Sequence, residues 1–326
     1  MKKIGSIPVP KEALLLAPME DVSDQAFRTL CKEAGADFVY TEFVSSDALI
    51  RQIPKSLQKM QYREMERPFG IQLYGNDVDV MAEAADIASS QNPDIIDLNF
   101  GCPVKKIANR GGGSGMLRDL PKLLEITKTI IKRVPQPVTV KTRLGWDEKE
   151  LVIVELAEAL QDIGVQALTV HGRTREQMYT GEADWSLIGK IKENPRMHIP
   201  VFGNGDVTSP KRAREYFDRY GVDGIMIGRG AIGNPSIFRF IRHYLETGKE
   251  LPPFTVLEQI DQMKRFIEQS IPLKGLPGAV LHARRHLANN FKSLPNFRNL
   301  RIQMLRASSQ EELWQVFDEI ALRYGV

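Results

Sequence analysis

Cys102 sits in the run Asp97-Leu98-Asn99-Phe100-Gly101-Cys102-Pro103, directly behind an apolar stretch with the composition of a buried strand. A free thiol has a pKa of about 8.5, so at neutral pH it is mostly protonated and suits a proton donor better than a pre-formed nucleophile. Lys105 and Lys106 follow closely and are expected to pull that value down. Other reactive side chains end similar apolar runs: Pro18-Met19-Glu20, Gln72, Lys141, His171, Asn204-Gly205-Asp206 and Gly228-Arg229-Gly230. A lysine at the end of an apolar strand is costly unless it faces an anion or a cleft, and Arg143 points the same way two residues on. Gln72 offers a donor and acceptors suited to an imide edge. The paired glycine motifs let backbone approach an anion closely, and Arg229 adds charge there.

Those residues need a frame that brings strand ends together. Short apolar runs without alternation recur every 20–45 residues, at 13–17, 37–41, 70–73, 95–98, 137–141, 167–170, 199–202 and 224–227. That pattern predicts strands buried on both faces of a parallel sheet. Amphipathic stretches lie between them: Met81, Ala84, Ala85 and Ala88 share one helical face, and Val152, Leu156 and Ala159 are expected to be the inward face of another. Eight strand–helix units predict a (β/α)8 TIM barrel of about 240 residues, with its active site at the carboxyl ends of the strands. An open doubly wound sheet would carry its glycine fingerprint after the first strand, where this chain has Pro18-Met19-Glu20. The loops after the seventh and eighth strands of such barrels often hold phosphate, which assigns that role to Asn204-Gly205-Asp206 and Gly228-Arg229. The run Gly111-Gly112-Gly113-Ser114-Gly115 lacks the Gly-Lys-Ser/Thr ending of a phosphate-binding loop and is expected to be a flexible segment that orders over substrate.

The pattern changes after Gly248, where Pro252-Pro253 marks a linker. The expected division is a barrel over 1–247 and a small all-α domain over 248–326. Its helical stripes are Val256/Ile260/Met263/Ile267, Val280/Ala283/Leu287/Phe291 and Leu313/Phe317/Ile320, with a short helix near Leu300 and Met304. From Gln269 to Gln310 there is no carboxylate, yet Lys274, Arg284, Arg285, Lys292, Arg298, Arg301 and Arg306 fall there, with His282 and His286. A stretch of this kind points to a polyanionic partner, although the net charge of the 326-residue chain is only +3. Two cysteines, Cys31 and Cys102, exclude a disulfide framework and suit a reducing compartment. No grouping has the spacing of a metal site, so no metal is expected. No apolar run approaches the roughly 18 residues of a membrane span, and the basic start of the chain has no apolar core behind it, so a cytoplasmic location is expected.

Six motifs in order carry a resemblance: Ala17-Pro18-Met19, Asn99-Phe100-Gly101-Cys102-Pro103, Lys141-Thr142-Arg143-Leu144-Gly145-Trp146, His171-Gly172-Arg173-Thr174, Asn204-Gly205-Asp206 and Ile227-Gly228-Arg229-Gly230. Over about residues 10–245 the chain closely resembles the tRNA-dihydrouridine synthases, and most of all their bacterial B subgroup. Glu20 and Phe100 depart from that pattern, at positions where a small residue and methionine are common. The resemblance implies an FMN enzyme that reduces the C5=C6 bond of uridines in tRNA, with NADPH or NADH as reductant. It implies that Pro18, Met19 and Glu20 lie against the flavin ring, that Gln72 and Lys141 contact its polar edge, and that His171 lies near it. Asn204, Gly205, Asp206, Gly228 and Arg229 would hold the flavin phosphate. Cys102 would donate the proton, and Asn99 would help hold the uracil. Arg143, Arg173, Arg284 and Arg285 are expected on the substrate side.

Two rival functions remain open at the level of sequence. One is an FMN barrel acting on a free pyrimidine, like the dihydroorotate dehydrogenases, which leaves the basic tail without a role. The other is a non-catalytic RNA-binding protein, which leaves Cys102, Lys141 and His171 without one.

Overall fold

The computed structural model describes residues 2–291 and 293–325. Eight parallel strands form the barrel: β1 (Ala13–Leu16), β2 (Val39–Tyr40), β3 (Phe69–Tyr74), β4 (Ile95–Phe100), β5 (Val138–Arg143), β6 (Ala167–His171), β7 (Val201–Asn204) and β8 (Gly224–Ile227). Their order is β1-β8-β7-β6-β5-β4-β3-β2, and a parallel bridge between Leu15 and Phe38 closes the ring. Each of the eight expected runs overlaps one of these strands, several of which extend further toward their carboxyl ends. Continuous apolar sequence is the signature here because helices cover the outside while side chains fill the inside.

The interior is layered. Ala13, Leu15, Phe38, Phe202 and Met226 plug the floor, and an N-terminal hairpin of Lys3–Ile4 with Ile7–Pro8 brings Ile4 against them. Above this plug the inward residues turn polar. Gln72, Asp97 and Thr139 are register partners across β3, β4 and β5. Higher still, Asn99 pairs in register with Lys141, and Arg143 with His171, which in turn pairs with Asn204. The apolar floor closes one end, so the chemistry is gathered at the carboxyl ends of the strands. Gln72 therefore lies in mid-strand rather than at a strand end.

The helix at Val78–Ser89 buries Met81, Ala84, Ala85 and Ala88 as its spacing predicts. The helix at Ile153–Asp162 instead buries Ile153, Leu156, Ala157 and Leu160. Val152 precedes the helix rather than lying on its inward face, because the helix begins one residue later than the sequence pattern suggested.

After Thr247 the chain is helical: Val256–Leu287, Arg298–Arg306 and Gln310–Tyr324. Thr255 starts the first of these with a reciprocal cap, its Oγ1 accepting from Glu258 N and its own N donating to Glu258 Oε2. Two of the predicted stripes fall on this one long element, except that Phe291 lies beyond its end, and the element breaks at Gly275 (φ 71°) between Pro272 and Pro277. Phe266, Ile267, Ala283 and Leu287 share a core with Leu313, Phe317 and Ile320.

This helical region docks on the first barrel helix, Gln25–Glu33. Asp24 caps that helix through Phe27 N (3.0 Å), while its other oxygen faces Lys274 Nζ at 3.1 Å and His282 Nε2 at 3.0 Å. Arg285 pairs with Asp21 at 2.9 Å, and Arg265 with Glu33 at 2.5 Å. His286 is buried between Phe27 and Phe266, with ring centroids at 4.4 and 4.5 Å. The acid-free segment is thus neutralised in part by carboxylates of the barrel, which lie far from it in sequence. Lys292 lies outside the described residues. No helix among the described residues is long and apolar enough to cross a membrane.

Candidate active site

A cavity of about 710 Å³ opens at the carboxyl ends of the strands. Its wall includes Pro18, Met19, Glu20, Asn99, Cys102, Lys141, Arg143, His171, Asn204, Gly205, Asp206, Gly228 and Arg229. Gln72, Arg173, Arg284 and Arg285 are not on that wall. Gln72 is fully buried below it, and Arg173 is buried behind it. Arg284 donates to the carbonyls of Arg306 and Ala307 within the helical region, and Arg285 is spent on Asp21.

Cys102 sits just past β4 in a rigid setting. Asn99 Oδ1 accepts from Gly101 N and Cys102 N at 3.0 and 2.9 Å. Ser114 donates to the Cys102 carbonyl through both its N (3.1 Å) and Oγ (2.8 Å). The glycine-rich segment is therefore not a flexible cover: Gly113–Arg118 is a 3-10 turn with Gly113, Ser114, Gly115, Met116 and Leu117 buried. A Cβ on Gly115 would meet the Ala108 carbonyl at 2.3 Å, so here glycine permits close packing under the cysteine loop. Burial pushes the Cys102 thiol up from its ordinary value, and the Val104 backbone N–H, Arg143 and Lys141 only partly oppose it. Lys105 and Lys106 are exposed and do not figure among the causes of that shift, contrary to the expectation from sequence.

Arg143 is almost fully buried, and its guanidinium binds three carbonyls: Gly101 at 2.7 Å, and Thr174 and Met178 at 2.8 Å each. It ties the cysteine loop to the loop after β6. Tyr179 on that loop is half exposed, and its ring lies 5.6 Å from the Arg143 guanidinium and 5.1 Å from that of Arg229. Sequence reasoning missed Tyr179. Its segment, Gln177-Met178-Tyr179-Thr180, has neither period nor motif, and only the fold turns it over the cavity.

Lys141 donates to Asn204 Oδ1 at 3.2 Å, and Asn204 donates to the Met226 carbonyl at 2.7 Å. Burial, with Arg143 beside it, lowers the lysine to about 8. The same burial, reinforced by Arg143, Lys141, Arg173 and Arg229, holds His171 well below its usual range. His171 is thus held neutral at physiological pH, while the Cys102 thiol and Lys141 on the same wall keep their protons. Asp206 accepts from Arg173 at 2.7 Å and from Arg229 at 2.8 Å, so this corner carries a surplus positive charge. A Cβ on Gly228 would meet only Met19 Sδ and Ala17 Cβ, at 3.5 and 3.6 Å, so the backbone there is open to a ligand. Gly205 has φ 123°, which ordinary side chains rarely adopt. Near the mouth, carboxylate oxygens of Glu20, Asp21 and Glu42 converge within 4.8 Å, a grouping not apparent in sequence because Glu42 arrives from after β2. Glu20 is paired with Lys59 and Glu42 accepts from Asp21 N, so the grouping is partly neutralised by the protein itself.

A closed parallel barrel with a thiol, a lysine and a positively charged corner at its strand ends defines a (β/α)8 enzyme. The fold resembles solved structures of histamine dehydrogenase from Rhizobium sp. 4-9 and of a morphinone reductase variant in complex with tetrahydroNAD. Both comparisons have a TM-score of 0.53 and 15% identity; they cover 78% of this chain and 48% of the first protein, and 77% and 91% for the second. A family model described as dihydrouridine synthase matches residues 15–324. Among curated relatives, tRNA-dihydrouridine synthase B of Pseudomonas putida is 42% identical over 88% of this chain and 85% of its own length. A probable tRNA-dihydrouridine synthase of Rickettsia prowazekii is 41% identical over 91% and 90%. The chain belongs to the dihydrouridine synthase family.

Proposed function

We propose that this chain is a B-type tRNA-dihydrouridine synthase, using FMN and a reduced nicotinamide dinucleotide to reduce the C5=C6 bond of uridine in tRNA. The observation that carries the reading is a buried, protonated thiol on the wall of a cavity whose opposite corner is built for an anion. An FMN-sized group fits that cavity. Pro18 and Met19 offer apolar contact, Lys141 a buried donor, and the open backbone at Gly228 with Arg229 a seat for phosphate.

When bound, reduced FMN supplies the hydride that adds to C6 of the uracil. The chain's residues do the rest. Cys102 Sγ delivers a proton to C5, the π bond between C5 and C6 is lost, and the resulting thiolate regains its proton from water. Burial keeps Sγ protonated until that moment. Asn99 and Arg143 hold the cysteine loop in place, and Asn99 also reaches the cavity, where it would orient the base. The target base must leave the tRNA fold to enter. The helical region, 248–326, serves as the tRNA-docking domain. The reductant, NADPH or NADH, would share the open face of the same cavity, because no second dinucleotide fingerprint occurs in the sequence.

The test is direct. Purified protein is incubated with unmodified tRNA transcripts and NADPH, and dihydrouridine is measured by mass spectrometry. Formation of dihydrouridine at a defined position is the expected result. A flavin-loaded protein that turns over a free pyrimidine but no tRNA would replace this reading with a dihydroorotate dehydrogenase-like one.

A further inference from the structure

Below the cysteine loop runs a chain of side-chain hydrogen bonds whose polarity is fixed at both ends. At one end, the Asp97 carboxylate can only accept. It takes one hydrogen bond from Thr139 Oγ1 and another, at 2.6 Å, from Gln72 Nε2. At the other end, the backbone N–H groups of Gly101 and Cys102 can only donate, and Asn99 Oδ1 receives both. Between them, Asn99 Nδ2 donates to Gln72 Oε1 at 2.8 Å. The two amides in the middle have no freedom to exchange oxygen and nitrogen, because either flip would set donor against donor or acceptor against acceptor. All four side chains are buried, at 5% exposure or less, so water cannot repair a reversed link.

The consequence concerns Asn99, the member of the chain that lines the cavity. Its oxygen is fully engaged by the cysteine loop, and one of its two amide hydrogens is taken by Gln72. What remains for a ligand is a single N–H. We infer that Asp97, acting through Gln72, is a positioning residue that makes Asn99 a hydrogen-bond donor only, so that the site accepts a pyrimidine bearing a carbonyl at that edge and rejects one bearing an amino group. This rests on the proposed function for its substrate and narrows it: uracil presents O4 where cytosine presents an amino group. A buried polar group left facing a like group is how sites of this kind discriminate.

Two measurements test the inference separately. The first needs no turnover. Asn99→Asp puts an acceptor against Gln72 Oε1, and adding Asp97→Asn allows the whole relay to reverse, with the new amide donating to Gln72 and Gln72 donating to the new carboxylate. Urea unfolding of the wild type, both single variants and the double variant is expected to show that Asp97→Asn restores much of the stability lost through Asn99→Asp. Additive losses would overturn the relay. The second measurement uses tRNA transcripts carrying uridine or cytidine at the modified position. Asn99→Asp, alone and in the double variant, is expected to lose the wild-type preference for the uridine transcript by tenfold or more in affinity. Asp97→Leu is expected to lower kcat at least tenfold more than Asp97→Asn, which keeps an acceptor toward Gln72. A preserved uridine preference in both Asn99→Asp proteins, or equal kcat in the two Asp97 variants, would overturn the specificity role. If the wild type forms no dihydrouridine, the functional reading fails, while the stability cycle still judges the relay.

Discussion

Arg285, in the helical region, closes on Asp21 of the barrel, donating to its carbonyl as well as pairing with its carboxylate, both at 2.9 Å. The two residues are 264 positions apart in sequence. The contact joins the helical region to the rim of the cavity, since Asp21 follows Glu20 on the loop after β1. It also divides the basic segment into two groups. Lys274 and Arg285 serve the docking of the two regions, whereas Arg298 and Arg301 are exposed and form no ion pair among the described residues. Reversal of Arg298 and Arg301 to Glu is therefore the cleaner probe of tRNA docking. Affinity for tRNA should fall, and the slope of log affinity against log salt should flatten by up to about 2, near 0.9 per lost phosphate contact. Titrations across a salt series check this; an unchanged slope would mean that these arginines face no phosphate.

Cys102→Ala should retain flavin and still oxidise NADPH, because the cysteine loop is held by Asn99 and Ser114 through backbone groups that alanine keeps. Formation of dihydrouridine should drop by about 10²–10⁴-fold, the usual worth of a positioned acid. Single-turnover measurements on pre-reduced protein separate the two steps, and near-normal product would remove Cys102 from proton delivery.

The direction of the Cys102 shift gives a pH profile. In the proposed mechanism the acid form is the active one, and burial raises its pKa, so the protonated fraction persists above the ordinary thiol value of about 8.5. The single-turnover rate should stay level through neutral pH and fall only as pH rises through that raised value. A decline beginning below pH 8 would show that some other group, with Lys141 at about 8 the first suspect, controls the step.

Arg229→Ala should weaken FMN binding by about 1.5–3 kcal/mol, the range for a hydrogen bond to a charged group. The loss has two parts: a donor disappears, and Asp206 keeps only Arg173 as counter-charge beside the anion seat. Equilibrium dialysis of the apoprotein with FMN measures it. Unchanged affinity would place the phosphate elsewhere.

Much of this arrangement was legible because parallel barrel strands write themselves as unbroken apolar runs, and inward polar residues at their carboxyl ends stand out against that background. Lys141, His171 and Asn204 were found in that way. Gln72 stood out for the same reason, although the register sets it beside Asp97, deeper than the cavity wall. What sequence could not show were pairings made by tertiary closure, such as Arg285 with Asp21, or Tyr179 turned over two arginines. The glycine run at 111–115 misled because glycine serves flexibility and close packing equally well, and only the buried surroundings of Ser114 decide between them.

His286 supplies a test of how the two regions are held together. Burial lowers it to about 3, although Asp24 opposes the shift, and its Nδ1 accepts from Gly233 N at 3.3 Å as a neutral ring must. In the unfolded chain the same ring titrates near 6.5. Between those values the unfolded state binds the extra proton, so this residue's contribution to stability is whole above about pH 6.5 and is lost progressively as pH falls toward the folded value. Other buried carboxylates, Asp97 among them, shift in the opposite sense, so the comparison must be with a variant that changes only this group. His286→Gln keeps a polar side chain able to accept from Gly233 but cannot titrate. It should be less stable than the wild type at pH 7.5, because the ring contacts with Phe27 and Phe266 are lost. The gap should narrow by up to about 1.4 kcal/mol for each pH unit below 6. Urea unfolding of both proteins at pH 7.5, 6 and 5 measures the gap, and a constant difference would mean that His286 is not held neutral in the folded protein.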